Sequence, residues 1–286
     1  MNQRYWLFLF MAFPLFAYAD KGNNAWQGPR ESVYVVTHNH YAEGFTPEGE
    51  TAKFGDLIAI EIYNPKAHAA VESDYKIGKQ LALFIGGQSQ GNVRIKSVLP
   101  LQCDSSAASV STDASVHLSK DTMALATNAA TIRPHSNSQR QADAEVRKYA
   151  QQLAMNEFRK HGVPESAAKN IKVDRLTVTK LDVSGSEFLI GSLFVELKSV
   201  RYEVFLVGKI SDSGATAELA RYHKTTDLED GKDSEDFRFV DQLDFDGDGT
   251  DEIVVEVTGY ENEEFRVYSR RDGSWNQVHI GGQGGC

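Results

Sequence analysis

Between Ser32 and Leu99 the apolar positions come in short runs, SVYVVTH, LIAIEIY, QLALFIGG and VRIKSVL, separated by Gly, Pro, Asn and Asp. Runs of this length, rich in β-branched and aromatic residues and bounded by turn formers, predict strands. A parallel sheet would need crossovers of a dozen residues or more, and no helical period of that length lies among them. Residues 20–103 are therefore expected to form a small antiparallel β domain. The stretch from Asp104 to Ser136 is Ser, Ala or Thr at 18 of its 33 positions. Such a tract offers little apolar surface to bury, so residues 104–137 read as a linker with one short strand around Val116.

The period then changes. Ala142, Val146, Tyr149, Ala150, Leu153, Ala154 and Phe158 fall on one stripe at helical spacing. Ser138, with Gln141 three residues on, predicts an N-cap and capping box. Arg159, Lys160 and His161 crowd the last turn, where the helix dipole favours cations, His161 reading as a C-terminal cap and not a ligand, and Gly162 and Pro164 end it. From Lys172 onward the pattern is β, and it repeats. Leu181–Ile190 (LDVSGSEFLI) matches the stretch opening at Leu243 (LDFDGDGTDEIV), and RYEVFLV from Arg201 matches EFRVYSR from Glu264. Each unit reads as about four antiparallel strands, the size of a propeller blade. Two units cannot close a propeller. An open meander or a sandwich of two sheets remains, with the helix over a face or an edge, so residues 138–286 read as a helix plus two β units. The chain as a whole is expected to be mainly β.

The first 19 residues read as an export signal. Arg4 supplies a positive start, Tyr5–Phe16 is apolar throughout, and Ala17-Tyr18-Ala19 offers the small-x-small cleavage pattern. Twelve helical residues rise roughly 18 Å, too short for a hydrocarbon core of about 30 Å. An uncleaved anchor is the alternative. The reading implies a periplasmic or extracellular protein with no transmembrane segment after cleavage. In an oxidising compartment Cys103 and Cys286 become candidates for one disulfide, with the GGQGGC end acting as a flexible tail that reaches back; two free thiols or an intermolecular bridge are the alternatives. Forty acids against thirty bases leave no basic face for phosphates, which excludes a nucleic-acid partner.

The acids are concentrated. Asp227–Glu252 holds twelve of them against Lys232 and Arg238. Within it Asp244, Asp246 and Asp248 alternate, Gly249 follows, and Glu252 comes eight residues after the first aspartate. Calcium takes six to eight oxygens, and a tight loop with carboxylates at positions 1, 3 and 5 can wrap one ion. Glycine at position 6 permits the turn, the backbone carbonyl of Thr250 adds an oxygen at position 7, and Glu252 at position 9 closes the shell. An EF-hand would need Glu at position 12, which is Val255, and an exiting helix in place of the strand-like IVVEV. A divalent cation would offset part of the self-repulsion of so many like charges; a solvated acidic hairpin, with a disordered acidic loop around Asp230–Asp236, is the other reading.

LDFDGDGTDEIVV resembles the calcium loop of FG-GAP/VCBS-type repeats, found in integrin α-chain propellers and many secreted bacterial proteins. The resemblance covers about 45 residues well, or about 100 with the degenerate copy. It implies calcium held by Asp244, Asp246, Asp248 and Glu252 with the carbonyl of Thr250, Glu standing where the family has Asp. In the earlier copy Ser184 and Ser186 replace two aspartates, so no metal is expected there.

Two other patterns compete for a function. Gly87-Gln88-Ser89-Gln90-Gly91 matches the G-x-S-x-G nucleophile elbow, but the following NVRIKSVL alternates like a strand where the elbow needs a helix. His38 and His40 would share one strand face as a metal pair. The leading expectation is a non-catalytic, exported calcium-binding β-repeat protein, serving as a binding or envelope scaffold module for an unidentified protein or glycan. The runner-up is a secreted or periplasmic hydrolase using Ser89 or a His38/His40 metal site.

Overall fold

The computed structural model describes residues 26, 28–39, 55–66, 75–100, 106–113, 115–129, 132 and 138–285. The signal segment, His40, Cys103 and Cys286 lie outside them, and with them the disulfide expectation. The fold is mainly β and antiparallel.

Six strands, β1 (Val33–His38), β2 (Leu57–Tyr63), β3 (Gln80–Ile85), β4 (Gln88–Pro100), β5 (Ser106–Thr112) and β6 (Ala124–Thr127), close a barrel in the order β1-β2-β5-β4-β3-β6. The first four are the strands expected from the apolar runs. The last two come from the segment read as a linker, and that reading is corrected. Its Ala and Ser content is what a narrow barrel needs. Ala108, Ala124 and Ala126 face inward opposite Tyr34, Leu81 and Leu83, and alternating small and large side chains fill a small lumen. Val116 is buried in that interior without being part of a strand.

The alternate residues of the barrel wall point outward and are also buried. Val33, Val35, Ile58, Ile60 and Phe84 pack against Val240, Leu243, Phe245, Val254, Phe265 and Val267. These last belong to, or immediately follow, strands of a four-stranded meander, β12 (Glu235–Leu243), β13 (Glu252–Gly259), β14 (Asn262–Arg271) and β15 (Ser274–Gly285). Its opposite face, with Phe237, Ile253, Val255, Tyr268 and Trp275, meets Phe188, Ile190, Phe205 and Val207 of a second sheet. That sheet runs β11-β10-β9-β8-β7, from strands β7 (Arg140–Gln141), β8 (Lys172–Lys180), β9 (Glu187–Leu197), β10 (Val200–Ser211) and β11 (Gly214–Thr225). Helix α1 (Ala144–Lys160) lays Val146, Ala150, Ala154 and Phe158 on its outer face, and the four-residue α2 (Glu165–Ala168) follows. The layers are helix, five-stranded sheet, four-stranded sheet and barrel. The two repeat units are the two sheets, packed as a sandwich.

Two local expectations change. The N-cap of α1 is Asp143, whose Oδ1 accepts from the amides of Glu145 at 3.0 Å and Val146 at 2.9 Å. Ser138 lies before β7 and instead accepts from the Lys180 amide at 2.9 Å. The chain pairs with β8 at Arg140 and Gln141 before it can coil, which moves the cap downstream. At the other end His161 is the C-cap, as expected, and its ring stacks on Tyr222 at 3.9 Å. The glycine-rich end is no loose tail, since it forms the last part of β15. A Cβ on Gly281 would lie 1.9 Å from the Ile62 carbonyl oxygen, so only glycine lets β15 approach β2 this closely.

Polar groups lock the layers together. Gly86 and Gly87 form the two-residue β3–β4 turn with φ of 59° and 75°, a left-handed pair that glycine adopts at no steric cost. The Gly86 amide donates to both carboxylate oxygens of Asp241 on β12, at 2.9 and 3.0 Å, and Gln139 Nε2 donates at 2.7 Å. Between the sheets, Glu203 accepts from the Phe237 amide at 3.2 Å and pairs with Arg201 at 2.8 Å, while Ser192 donates to the Phe237 carbonyl at 2.6 Å.

Replacing Asp241 by Leu strands the buried Gly86 amide and should cost about 2–3 kcal/mol. Ser89→Ala, at an exposed position of the same hairpin, should change urea stability little. A pH effect follows from the same buried acids. Burial pushes Glu203, Asp241 and Glu256 up to about 7 from ordinary values of 4.5, 3.8 and 4.5. Each holds a proton in the folded chain that it would release unfolded, so its stabilisation is full below the ordinary value and lost as pH rises through 7. His223, raised chiefly by its hydrogen bond to Glu235, has the same sign above 6.5, while His279, lowered by burial, opposes. In EDTA the protein should melt higher at about pH 5.5 than at about pH 8.

Candidate metal centre

The β12–β13 connection is the acidic loop. Leu243 pairs with Glu252, which closes the eight residues between them into one turn. Phe245, 1% exposed, plunges into the apolar layer facing the barrel and pins the loop from within. Gly247 and Gly249 take φ of 79° and 89°, the left-handed values a tight acidic loop requires. Asp244 accepts from the amides of Gly247 at 2.7 Å and Gly249 at 3.0 Å, curling the chain around its own carboxylate.

Three of the four expected carboxylates converge. One oxygen each of Asp244, Asp246 and Glu252 can be chosen so that all lie within 4.8 Å of one another. Asp248 is not in that group. Its Oδ1 accepts from the Thr250 amide at 2.8 Å. Thr250 itself forms an isolated antiparallel bridge with Asp182, the first position of the degenerate copy. The next residues reinforce that junction. The Asp251 amide donates to the Leu181 carbonyl at 2.7 Å, and Gln242 Nε2 donates to the Lys180 carbonyl at 2.7 Å and to Asp251 at 2.8 Å. The two loops of the repeat thus meet edge to edge.

Electrostatically the site is strained toward a cation. Glu252 is 1% exposed, and burial, followed by the charge of Asp246, raises its carboxyl well above the ordinary range. Asp244 and Asp246 are raised as well, first by desolvation and then by neighbouring carboxylates. Each already accepts donors: Asp244 the two glycine amides, Asp246 the Asp248 amide at 3.2 Å and Arg271, and Glu252 the Phe245 amide at 2.8 Å. What stays uncompensated is the crowding of buried negative charge, which a hard divalent ion can offset. In the degenerate loop Asp182 likewise accepts locally, from the Ser184 amide at 3.0 Å and the Ser184 hydroxyl, but Ser184 and Ser186 stand where the other loop has carboxylates.

One participant was not foreseen in the sequence. Arg271, at the end of β14, contacts Asp246 Oδ2. No linear spacing announces it; the signal is the pairing of Ile253 with Tyr268, which carries the chain three residues on to the loop.

The other candidates sit elsewhere. Ser89 is exposed on β4 opposite Phe84, and the chain after it continues as a strand. His38 has both ring nitrogens against backbone carbonyls, Nδ1 at 2.7 Å from Gly55 and Nε2 at 3.1 Å from Leu118. The acidic run before β12 is an ordered turn, with Asp233 accepting from the Thr226 amide at 3.0 Å and Asp227 from Glu229 at 3.0 Å. Among the described residues no helix is long and apolar enough to cross a membrane. No family model matches the chain, and no curated protein or solved structure matches it.

Arg271 supplies positive charge where a cation would add more. Arg271→Gln should therefore act in opposite directions with and without metal. It should tighten calcium, because Asp246 loses a competing partner, and lower the melting temperature in EDTA, each by on the order of 1 kcal/mol. Titration calorimetry and paired melts read both.

Proposed function

We propose that the protein is an exported calcium-binding β-repeat protein, acting as a non-catalytic binding or envelope scaffold module for a protein or glycan partner. The observation that carries this reading is the convergence of Asp244, Asp246 and Glu252 on a loop whose spacing resembles that of FG-GAP/VCBS repeats. The donor set suits the ion. All three side chains offer hard oxygens, the loop is short, and Asp248 and the Thr250 carbonyl stand next in line to complete a shell of six or more. Calcium there would tie β12 to β13 at the edge where the two repeat loops abut, and so stiffen the contact between sheets. The expected signal segment supports export, where calcium is abundant enough for a weak site to fill. The hydrolase alternative draws on Ser89 or on His38 with His40, which lies outside the described residues; among those residues a strand follows Ser89 where an elbow needs a helix, and both His38 nitrogens face carbonyls.

If the ion binds only the folded loop, calcium at one hundred times its dissociation constant adds about 2.7 kcal/mol to stability. Extracellular sites bind at roughly 0.1–1 mM, so the melts should extend to about 10 mM or beyond. Asp246→Ala should abolish the shift and Ser184→Ala should keep it. Magnesium, which demands a small octahedral shell, should shift the melt less. An esterase screen decides the alternative: activity that disappears in Ser89→Ala would replace the binding reading with catalysis.

A further inference from the structure

A cavity of about 260 Å³ opens where the barrel and both sheets meet, away from the acidic loop. Its polar side carries Arg175 of β8, Arg238 and Asp241 of β12, Gln139 and Asp121, and its apolar side Ile85, Ile190 and Phe239. The two guanidiniums differ from those that grip a carboxylate. Arg140, Arg159 and Arg270 each hold a carboxylate in a two-pronged pair. Arg238 comes no nearer than 3.7 Å to Glu256, and Arg175 no nearer than 3.7 Å to its own neighbour Asp174. The hydrogen bond from Arg238 goes to a backbone carbonyl, that of Asp121 at 2.6 Å. Two cations from separate sheets therefore share one cavity wall without a charge-assisted hydrogen bond to a carboxylate. Asp241, at the same wall, is engaged with Gly86 and Gln139.

We propose that this cavity binds a small organic carboxylate, its anionic head between Arg175 and Arg238 and its apolar body against Ile190 and Phe239. Planar guanidiniums whose carboxylate neighbours stand no nearer than 3.7 Å can turn a prong each to a bound carboxylate, which would add to the partial offset that Glu256 and Asp174 give their mutual repulsion. An engineered apolar cavity of about 150 Å³ accepts benzene, so the volume here suits an acid of about ten heavy atoms. The opposing apolar wall favours such an acid over an inorganic anion. The site is separate from the acidic loop, none of whose residues lines it.

Benzoate is a suitable probe, with benzamide as its neutral isostere and inorganic phosphate as the charge without the body. Titration calorimetry on the full exported chain in calcium buffer should give saturable benzoate binding, with benzamide and phosphate each at least about tenfold weaker. Arg175→Gln should weaken benzoate about tenfold and leave the melting temperature unchanged, since Arg175 is half-exposed with one distant ion pair. Arg238→Gln should weaken it too, and the Arg175 variant keeps the test open if Arg238→Gln misfolds. No saturable benzoate binding up to about 10 mM, equal binding of benzamide or phosphate, or benzoate binding untouched by Arg175→Gln would each overturn the assignment.

Discussion

Both faces of the β12–β15 sheet are covered, and the rest of the molecule is arranged around that constraint. A sheet buried on one side can alternate apolar and polar residues; one buried on both sides has to be apolar nearly throughout. Strand β13 shows it, with Ile253, Val255 and Val257 turned to the five-stranded sheet and Val254 to the barrel. The polar residues that remain in such a strand are then desolvated. Glu252 and Glu256 interrupt β13 on the barrel side, and burial is the main reason both carboxyls are raised. Asp241 sits in the neighbouring strand under the same pressure and is held by the Gly86 turn. One packing decision thus produces the barrel's docking point, the buried acids and the crowded end of the acidic loop.

The loop inherits its chemistry from that position. On an exposed hairpin the same DFDGDG spacing would be a hydrated acidic turn. Here Phe245 draws it into the core, Glu252 is sealed beneath it, and Arg271 is brought in from β14. Arg271 contributes one charge to a group of three carboxylates. The degenerate copy shows the alternative solution, in which Ser184 donates to a lone Asp182 with no second carboxylate of that loop beside it. The two loops therefore present similar backbones and different electrostatics, and they touch through Thr250 and Asp182.

Much of this was legible along the chain. Strands β1 to β4, the buried stripe of α1, its histidine C-cap, the two antiparallel β units and the convergence of Asp244, Asp246 and Glu252 all follow from local pattern. What failed was composition taken without context. Ala108, Ala124 and Ala126 look too small to hold a core together, yet between tyrosines and leucines they are what lets six strands close. The glycines of the C-terminus read as slack, although Gly281 is there because a backbone carbonyl occupies the place of its side chain. Arg271 and the Arg175–Arg238 pair could not be read at all. Their meaning comes from strands brought side by side, which carry no signature in spacing.

The central claim is that this chain holds one divalent ion between Asp244, Asp246 and Glu252. Calcium titration of the purified, metal-stripped protein by calorimetry tests it most directly. The account predicts a single saturable site per chain at sub-millimolar to millimolar calcium, lost in Asp244→Asn and retained in Asp182→Asn. Heats of dilution alone across that range, or a site that survives Asp244→Asn, would contradict it.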